Sequence, residues 1–184
     1  MTDHGGSQFN VVDENILWSN HRLMSLAEVT VESPEGEKLR RDVFHHPGAV
    51  AVLPLHDDGT VTLVRQYRVA VDAEIWELPA GLRDVEGEPP VETATRELVE
   101  EAGLAADEVT HLTTFHNSPG FSDETVQIFL ATGLRAVADD RQGAEEQHMV
   151  VARLPLAEAL AMVLDGRITD SKTVIGLLLV SRSD

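Results

Sequence analysis

Three glutamates, Glu97, Glu100 and Glu101, lie close together near the end of the stretch GLRDVEGEPPVETATRELVEEAGL. Pro90 suits the entrance of a helix and Gly103 suits its end, so we predict a helix between them. On a helix with about 3.6 residues per turn, Glu97 and Glu101 lie one turn apart and Glu100 lies beside them. The sequence therefore predicts three carboxylates on one patch of a helix surface.

A divalent cation would explain this crowding. Each pair of like charges at these spacings destabilises an exposed helix by about 0.2 to 0.5 kcal/mol. Mg²⁺ or Mn²⁺ prefers oxygen ligands and would offset the repulsion. A solvated acidic face is the alternative, and it is the more common meaning of such a run. The chain contains no cysteine, so any metal must be held by oxygen or imidazole.

The composition limits the classes of function. The 184 residues suffice for one main domain, and 42% hydrophobic with 25% charged residues is typical of a globular protein. A net charge of -18 repels nucleic acids and anionic membranes, so we expect neither as a partner. The sequence has no long apolar run and no signal-peptide pattern, which predicts a cytoplasmic location.

Apolar alternation predicts the elements that position the acidic helix. FNVVDENILW and SLAEVTVES read as strands of a small antiparallel sheet within residues 1–46, and a main domain follows over 47–184. AVAVLPL and VTLVRQY flank HDDG, which predicts a hairpin. Two helices close the chain, one ending at Gly166 and one beginning near Asp170. This mixed order favours an α+β protein, an α/β/α sandwich with a mixed sheet.

Fixed positions on and before the helix carry a resemblance to a known family. Gly81 and Glu88 precede the runs RELVEE and GL, where arginine, glutamates and glycine recur at set spacings. This pattern resembles the signature of the Nudix hydrolases. Six residues separate Gly81 from Glu88 where the usual pattern has five. The extra residue falls in the loop before the helix and leaves the helical positions unchanged.

The resemblance implies roles for these side chains. It implies oxygen ligands for Mg²⁺ or Mn²⁺, directly or through water: Glu97, Glu100, Glu101 and the carbonyl of Ala80. Arg96 and Glu88 are expected to orient the ligand carboxylates. Arg96 and the metal ligand Glu100 are both expected among the catalytic groups. Bound metal can draw charge from a pyrophosphate and activate water.

Segments outside the signature narrow the substrate. LRRDVFHHPGAVAVLPL, VRQYR and WELPAG, together with a proline at position 119, resemble the ADP-ribose pyrophosphatase branch. That branch implies hydrolysis of ADP-ribose to AMP and ribose 5-phosphate by a homodimer that shares its N-terminal sheet. The residues expected to bind substrate are Arg41, Arg68, Glu77 and Pro119. Hydrolysis of another nucleoside diphosphate sugar such as GDP-mannose, and a catalytically silent nucleotide-binding module, remain open as alternatives.

The general base is expected on a late acidic loop, DDRQGAEEQHMVV, where the resemblance favours Glu146 and holds Glu145 in reserve. Solvated loop acids are the alternative for both. Trp76 is expected in the core more than against a base, because a single strand tryptophan is usually packed. The histidines match no metal-ligand spacing and are expected on the surface or in strands.

Overall fold

The computed structural model describes residues 8–20, 23–138 and 148–182. Within these, the chain forms two compact units. The described residues of the first unit are 8–20, 23–48 and 116–125, and those of the second are 49–115, 126–138 and 148–182. The first unit thus contains the N-terminal strands together with a short later segment.

An antiparallel sheet forms the first unit. Its strands are β1 (Asn10–Ser19), β2 (Ser25–Glu32) and β3 (Lys38–His45), in the order β1-β2-β3. The predicted N-terminal sheet is confirmed, because β2 pairs antiparallel with both neighbours. Ala27 and Val29 of β2 are buried, whereas every residue of β1 is exposed.

Two larger sheets and a short strand pair form the second unit. The first sheet has the order β7-β4-β10-β9. Its strands are β4 (Ala49–Pro54), β7 (Ala80–Leu82), β9 (Glu108–His116) and β10 (Thr125–Thr132). The second sheet has the order β12-β5-β6, from β5 (Thr60–Arg68), β6 (Ala73–Glu77) and β12 (Val150–Pro155). The pair is β8 (Leu104–Ala105) and β11 (Arg135–Ala136). β4 runs parallel to β10 and antiparallel to β7, so the first sheet is mixed.

Of the hairpin predicted around HDDG, the turn is present but the pairing of the two strands is wrong. His56 and Thr60 close a tight turn with a 2.9 Å backbone hydrogen bond, and Leu55 and Val61 form one isolated bridge. β4 and β5 then separate into different sheets. β4 is buried along nearly its whole length and β5 over residues 61–64, so each strand packs inside its own sheet.

Three helices cover the sheets in the described part of the second unit: α1 (Pro90–Ala102), α2 (Leu156–Leu164) and α3 (Ser171–Val180). The core on one side of β4 joins Val50 and Val52 to Ala94 and Leu98 of α1. On its other side, Ala51 and Leu53 belong to a separate core that includes Met162 of α2 and Leu177 of α3. The predicted α/β/α layering is confirmed. No helix among the described residues is long and apolar enough to cross a membrane.

Candidate active site

α1 begins and ends where its sequence predicts. Pro90 occupies its first turn, and Gly103 closes it in a left-handed conformation with φ of 62°. Ala94 and Leu98 are fully buried, whereas Val91, about one turn before Ala94, is 38% exposed. The buried face of α1 therefore begins at Thr93.

Two of the three signature glutamates are buried against β7. Glu97 is 9% exposed and Glu101 is 6% exposed, which is unusual for ionisable side chains. Oε2 of Glu101 accepts a 2.8 Å hydrogen bond from the backbone amide of Ala80. A Cβ atom added to Gly81 would lie 2.1 Å from the Glu97 carboxylate. In β7, the Ala80 amide thus holds the Glu101 carboxylate, and the missing side chain of Gly81 leaves space for the Glu97 carboxylate.

Arg96 is the cation of this acidic patch. Its Nη1 donates to Glu97 at 2.8 Å and to Glu100 at 3.0 Å. Its Nη2 lies 3.6 Å from Glu88 and 3.8 Å from Asp84. The carboxylates of Glu97 and Glu100 therefore converge on one nitrogen atom. Arg96 thereby relieves part of the repulsion between these two glutamates.

The electrostatic balance still favours an added positive charge. Burial, together with the nearby Glu97, raises the pKa of Glu101 to about 8, although the Ala80 amide opposes this shift. A hydrogen bond from the Thr93 hydroxyl and the charge of Arg96 lower the pKa of Glu88, which lies at the rim. The deepest carboxylate is therefore the one least supplied with cations by the chain itself.

The donor set fits a hard divalent cation. All candidate ligands are oxygens, and Glu97, Glu100 and Glu101 lie on one helix face beside the backbone of β7. In the described residues, no three Asp, Glu or His side chains form a cage that could hold a metal ion by itself. Mg²⁺ seldom needs such a cage, because it keeps several waters and often completes its shell with substrate phosphates. The site resembles an open platform of this kind.

A second charged cluster lies at the end of β6. Glu77 is 1% exposed and accepts two hydrogen bonds from Arg68, from Nε at 2.7 Å and from Nη2 at 2.9 Å. Lys172 of α3 also donates to Glu77. Burial alone raises the pKa of Glu77, but Arg68 and Lys172 outweigh it and hold the pKa below its usual value. Sequence reasoning missed Lys172.

The charges of the Glu77 cluster and of the acidic helix influence each other. Glu101 raises the pKa of Arg68, and Arg68 in turn opposes the upward shift at Glu101. Arg68 is 41% exposed at its side chain, and its bidentate bond to Glu77 uses one edge of the guanidinium. An arginine held in this way can present its other edge to an anion beside the acidic helix.

The remaining predicted residues lie elsewhere. Arg41 and Pro119 are exposed residues of the first unit, and Arg41 donates to the carbonyl of Arg40 at 2.7 Å. Glu145 and Glu146 lie outside the described residues. Trp76 packs against the core beneath the guanidinium of Arg65, 5.4 Å from its ring, so the core prediction is confirmed.

The histidines expected on the surface or in strands also find polar partners. His45 at the end of β3 bonds Asp123 at 2.7 Å through Nδ1 and approaches Glu14 at 3.3 Å through Nε2. The hydrogen bond to Asp123 raises the pKa of His45, with a smaller contribution from Glu14. Together these contacts tie β1, β3 and the segment 116–125 of the first unit. They are sufficient to explain His45 without a metal.

An open groove runs along the outer face of α1 beside the acidic patch. Its volume is about 540 Å³, and its lining includes Val91, Thr95 and Val99. Arg96 and Glu100 border it. Glu100 of the carboxylate cluster therefore lines an open groove.

Comparison with known proteins agrees with this geometry. The NUDIX domain family matches residues 45–175, which is most of the chain and includes all of α1. The chain belongs to the NUDIX family. The signature glutamates of α1 and the β7 residues that hold them lie inside the NUDIX match.

Relatives of this NUDIX chain act on related compounds. An ADP-ribose pyrophosphatase of Mycobacterium tuberculosis is 44% identical over 158 residues, 86% of this chain and 76% of that protein. The ADP-ribose pyrophosphatase of Bacillus subtilis is 38% identical over 156 residues, 85% of this chain and 84% of that protein. A GDP-mannose pyrophosphatase of Escherichia coli is 32% identical over 180 residues, 91% of this chain and 92% of that protein.

A solved structure shares the fold. The crystal structure of an ADP compounds hydrolase superposes with a TM-score of 0.81 at 24% identity, covering 96% of this chain and 94% of that one. At this identity the match concerns the NUDIX fold alone.

Proposed function

We propose that this enzyme hydrolyses the pyrophosphate bond of ADP-ribose to AMP and ribose 5-phosphate. One observation carries the proposal. Three glutamates lie on one face of α1: Glu97, Glu100 and Glu101. Arg68, held by the buried Glu77, lies near enough to Glu101 to influence its pKa. The similarity to two ADP-ribose pyrophosphatases over most of the chain supports this substrate.

The acidic helix is proposed to hold Mg²⁺ or Mn²⁺. Glu97, Glu100 and Glu101 would be its side-chain ligands, and the carbonyl of Ala80 would add a fourth oxygen. When bound, such a cation draws negative charge from a pyrophosphate and lowers the pKa of a bound water. Arg96 would keep two of the carboxylates aimed at one point, because both bond to its Nη1.

Arg68 is proposed to grip the diphosphate. Its Nε and Nη2 are occupied by Glu77, so its free edge can donate to phosphate oxygens. Arg41 and Pro119 remain proposed contacts of the ribose or diphosphate. Glu146, with Glu145 in reserve, is proposed to accept the proton of the attacking water. A P–O bond then forms to that water, and the bond to the leaving phosphate oxygen breaks.

A substrate panel tests the reaction. Purified protein with Mg²⁺ is given ADP-ribose or GDP-mannose, and release of AMP, GMP and phosphosugar is measured. We expect ADP-ribose to have the higher kcat/KM. Preferred release of GMP would replace the substrate assignment with a GDP-sugar, in line with the similarity to GDP-mannose pyrophosphatases. Tight binding of ADP-ribose with Mg²⁺ and no turnover would establish a silent binding module instead.

Metal dependence is tested on the same protein. EDTA is expected to abolish product release, and added Mg²⁺ or Mn²⁺ to restore it. Ca²⁺ is the control, since it takes oxygen ligands but has looser and larger coordination. Full activity in EDTA would overturn the metal part of the proposal.

A homodimer is the expected assembly. β1 is an edge strand of its sheet, and long exposed edge strands with apolar side chains tend to pair with another chain. Its exposed apolar residues include Val11, Ile16, Leu17 and Trp18. Sedimentation equilibrium should give twice the chain mass, and Ile16→Glu should give monomer. Leu164→Glu, at an exposed apolar site of α2, is the matched control. A wild-type monomer would refute the dimer.

A cytoplasmic location, without nucleic-acid or membrane partners, stays a prediction.

A further inference from the structure

Glu77 has more positive charge around it than a single arginine would supply. Its carboxylate is almost fully buried and bonds Arg68 through both oxygens. Oε2 of Glu77 is shared, because it also accepts from Nζ of Lys172. Lys172 is only 14% exposed at its side chain, so this contact is shielded from water.

Lys172 is itself held in place by the start of α3. Its Nζ donates to Asp170 at 2.9 Å. Asp170 caps the helix by accepting from the amide of Thr173 at 3.0 Å and from its hydroxyl at 2.6 Å. The hydroxyl oxygen of Thr173 accepts from the amide of Leu78 at 2.8 Å. The end of β6 is therefore bonded to the first turn of α3 at two successive residues, 77 and 78.

The position of Lys172 is costly for a lysine. It lies in the first turn of α3, where the helix dipole disfavours a cation. Its long side chain also loses conformational freedom when it is fixed and buried. The arrangement suits a group whose task is to fix the carboxylate of Glu77.

The orientation of Arg68 depends on that carboxylate. A bidentate bond fixes the plane of the guanidinium only if the carboxylate plane is fixed as well. With Lys172 on Oε2, rotation of the Glu77 carboxylate would break a contact between buried charges, which is strongly unfavourable. Arg68 is half exposed and would otherwise move among several rotamers.

We propose that Lys172 is a positioning residue, which acts through Glu77 to fix the guanidinium of Arg68 for the substrate diphosphate. This inference rests on the proposed role of Arg68 as a diphosphate ligand. Lys172 makes no contact with substrate in this account. Its effect therefore appears in binding more than in turnover, and only while Arg68 is present.

A double-mutant cycle tests the inference. The variants are Lys172→Met, Arg68→Ala and the combination, measured for KM and kcat with ADP-ribose and for ADP affinity by calorimetry in EDTA. Lys172→Met should raise KM and the Kd for ADP by roughly 3- to 100-fold, the range of coupling between contacting residues. Its kcat should stay close to wild type. In the Arg68→Ala background, Lys172→Met should add almost nothing.

Control variants separate positioning from stability. Lys172→Arg keeps a cation at this position and should recover most of the lost affinity. Lys38→Met is the matched control, because Lys38 is exposed and pairs with no carboxylate among the described residues. It should leave KM unchanged. If Lys172→Met does not fold, Lys172→Gln replaces it in the same cycle with the same expected coupling.

Additive effects in the double variant would overturn the inference, as would a lower melting temperature with unchanged KM and unchanged Kd for ADP. Failure of the proposed function looks different. In that case the wild-type protein releases no AMP from ADP-ribose, while the calorimetric cycle with ADP still reports whether Lys172 acts through Arg68.

Discussion

The backbone amide of Ala80 donates a 2.8 Å hydrogen bond to Oε2 of Glu101, which joins the start of β7 to the last turn of the acidic helix. Burial raises the pKa of Glu101 to about 8, and this hydrogen bond opposes the rise. The strand thus positions one side chain of the acidic helix before any ligand arrives.

Replacing Glu101 should separate activity from stability. Glutamine keeps the shape of the side chain, can still accept from the Ala80 amide and carries no charge, which suits a site that raises the pKa of Glu101 to about 8. We therefore expect Glu101→Gln to unfold at or above the wild-type temperature in EDTA. Loss of a metal-ligand supporting group typically costs about 10- to 100-fold, so loss of a ligand should lower kcat/KM by at least roughly 100-fold.

The comparison variant for this experiment is Glu92→Gln, which removes an exposed carboxylate from the first turn of the same helix. It should keep near-normal activity. Glu97→Gln should behave as Glu101→Gln does. Near-normal turnover of either variant at saturating Mg²⁺ would refute its assignment as a ligand.

The carboxylate patch could be predicted from the sequence because its spacing is local. Glu97, Glu100 and Glu101 lie within five successive helical positions, where the helical period alone decides which side chains share a face. The loop partners of Arg96 could not be predicted in this way. Its neighbours include Glu88 and Asp84, which a loop brings back to the helix, and no period describes that loop.

Contacts between distant segments could not be predicted. Lys172 and Glu77 are separated by 95 positions, so only the packing of α3 against β6 brings them together. The one local sign was a lysine in the first turn of an otherwise apolar helix, where the helix dipole disfavours it. The same limit explains the wrong hairpin. The turn chemistry of HDDG is local, but the separation of β4 and β5 into two sheets depends on what each strand buries.

A methyl group at position 81 should disturb the site and spare the fold. The Cβ of Gly81→Ala would meet the carboxylate of Glu97 at 2.1 Å, and that carboxylate ends a flexible side chain that can move aside. We expect a clear loss of turnover with a melting temperature close to wild type. Fully retained activity would show that Glu97 needs no fixed position against β7.

Stability should depend on the ionisation of Glu77 in acid. Its pKa is lower in the folded protein than its usual value of 4.5, so folding favours the charged form. This contribution is complete above pH 4.5 and is lost as the pH falls through the folded-state value. Urea unfolding between neutral and acidic pH should show wild type more stable than Glu77→Gln near neutrality, with the difference shrinking in acid. A difference independent of pH would contradict the ion-pair account.

The general base should be required for turnover but not for metal binding. Glu146 is the residue proposed for this role, and it lies outside the described residues. A general base contributes roughly 10² to 10⁴ in rate, so Glu146→Gln should lower kcat within about that range. Mg²⁺ affinity and melting temperature should match wild type. Glu145→Gln is the neighbouring control and should lose far less. A stronger loss in Glu145→Gln would move the base by one residue, and normal turnover in both would place it among the carboxylates of α1.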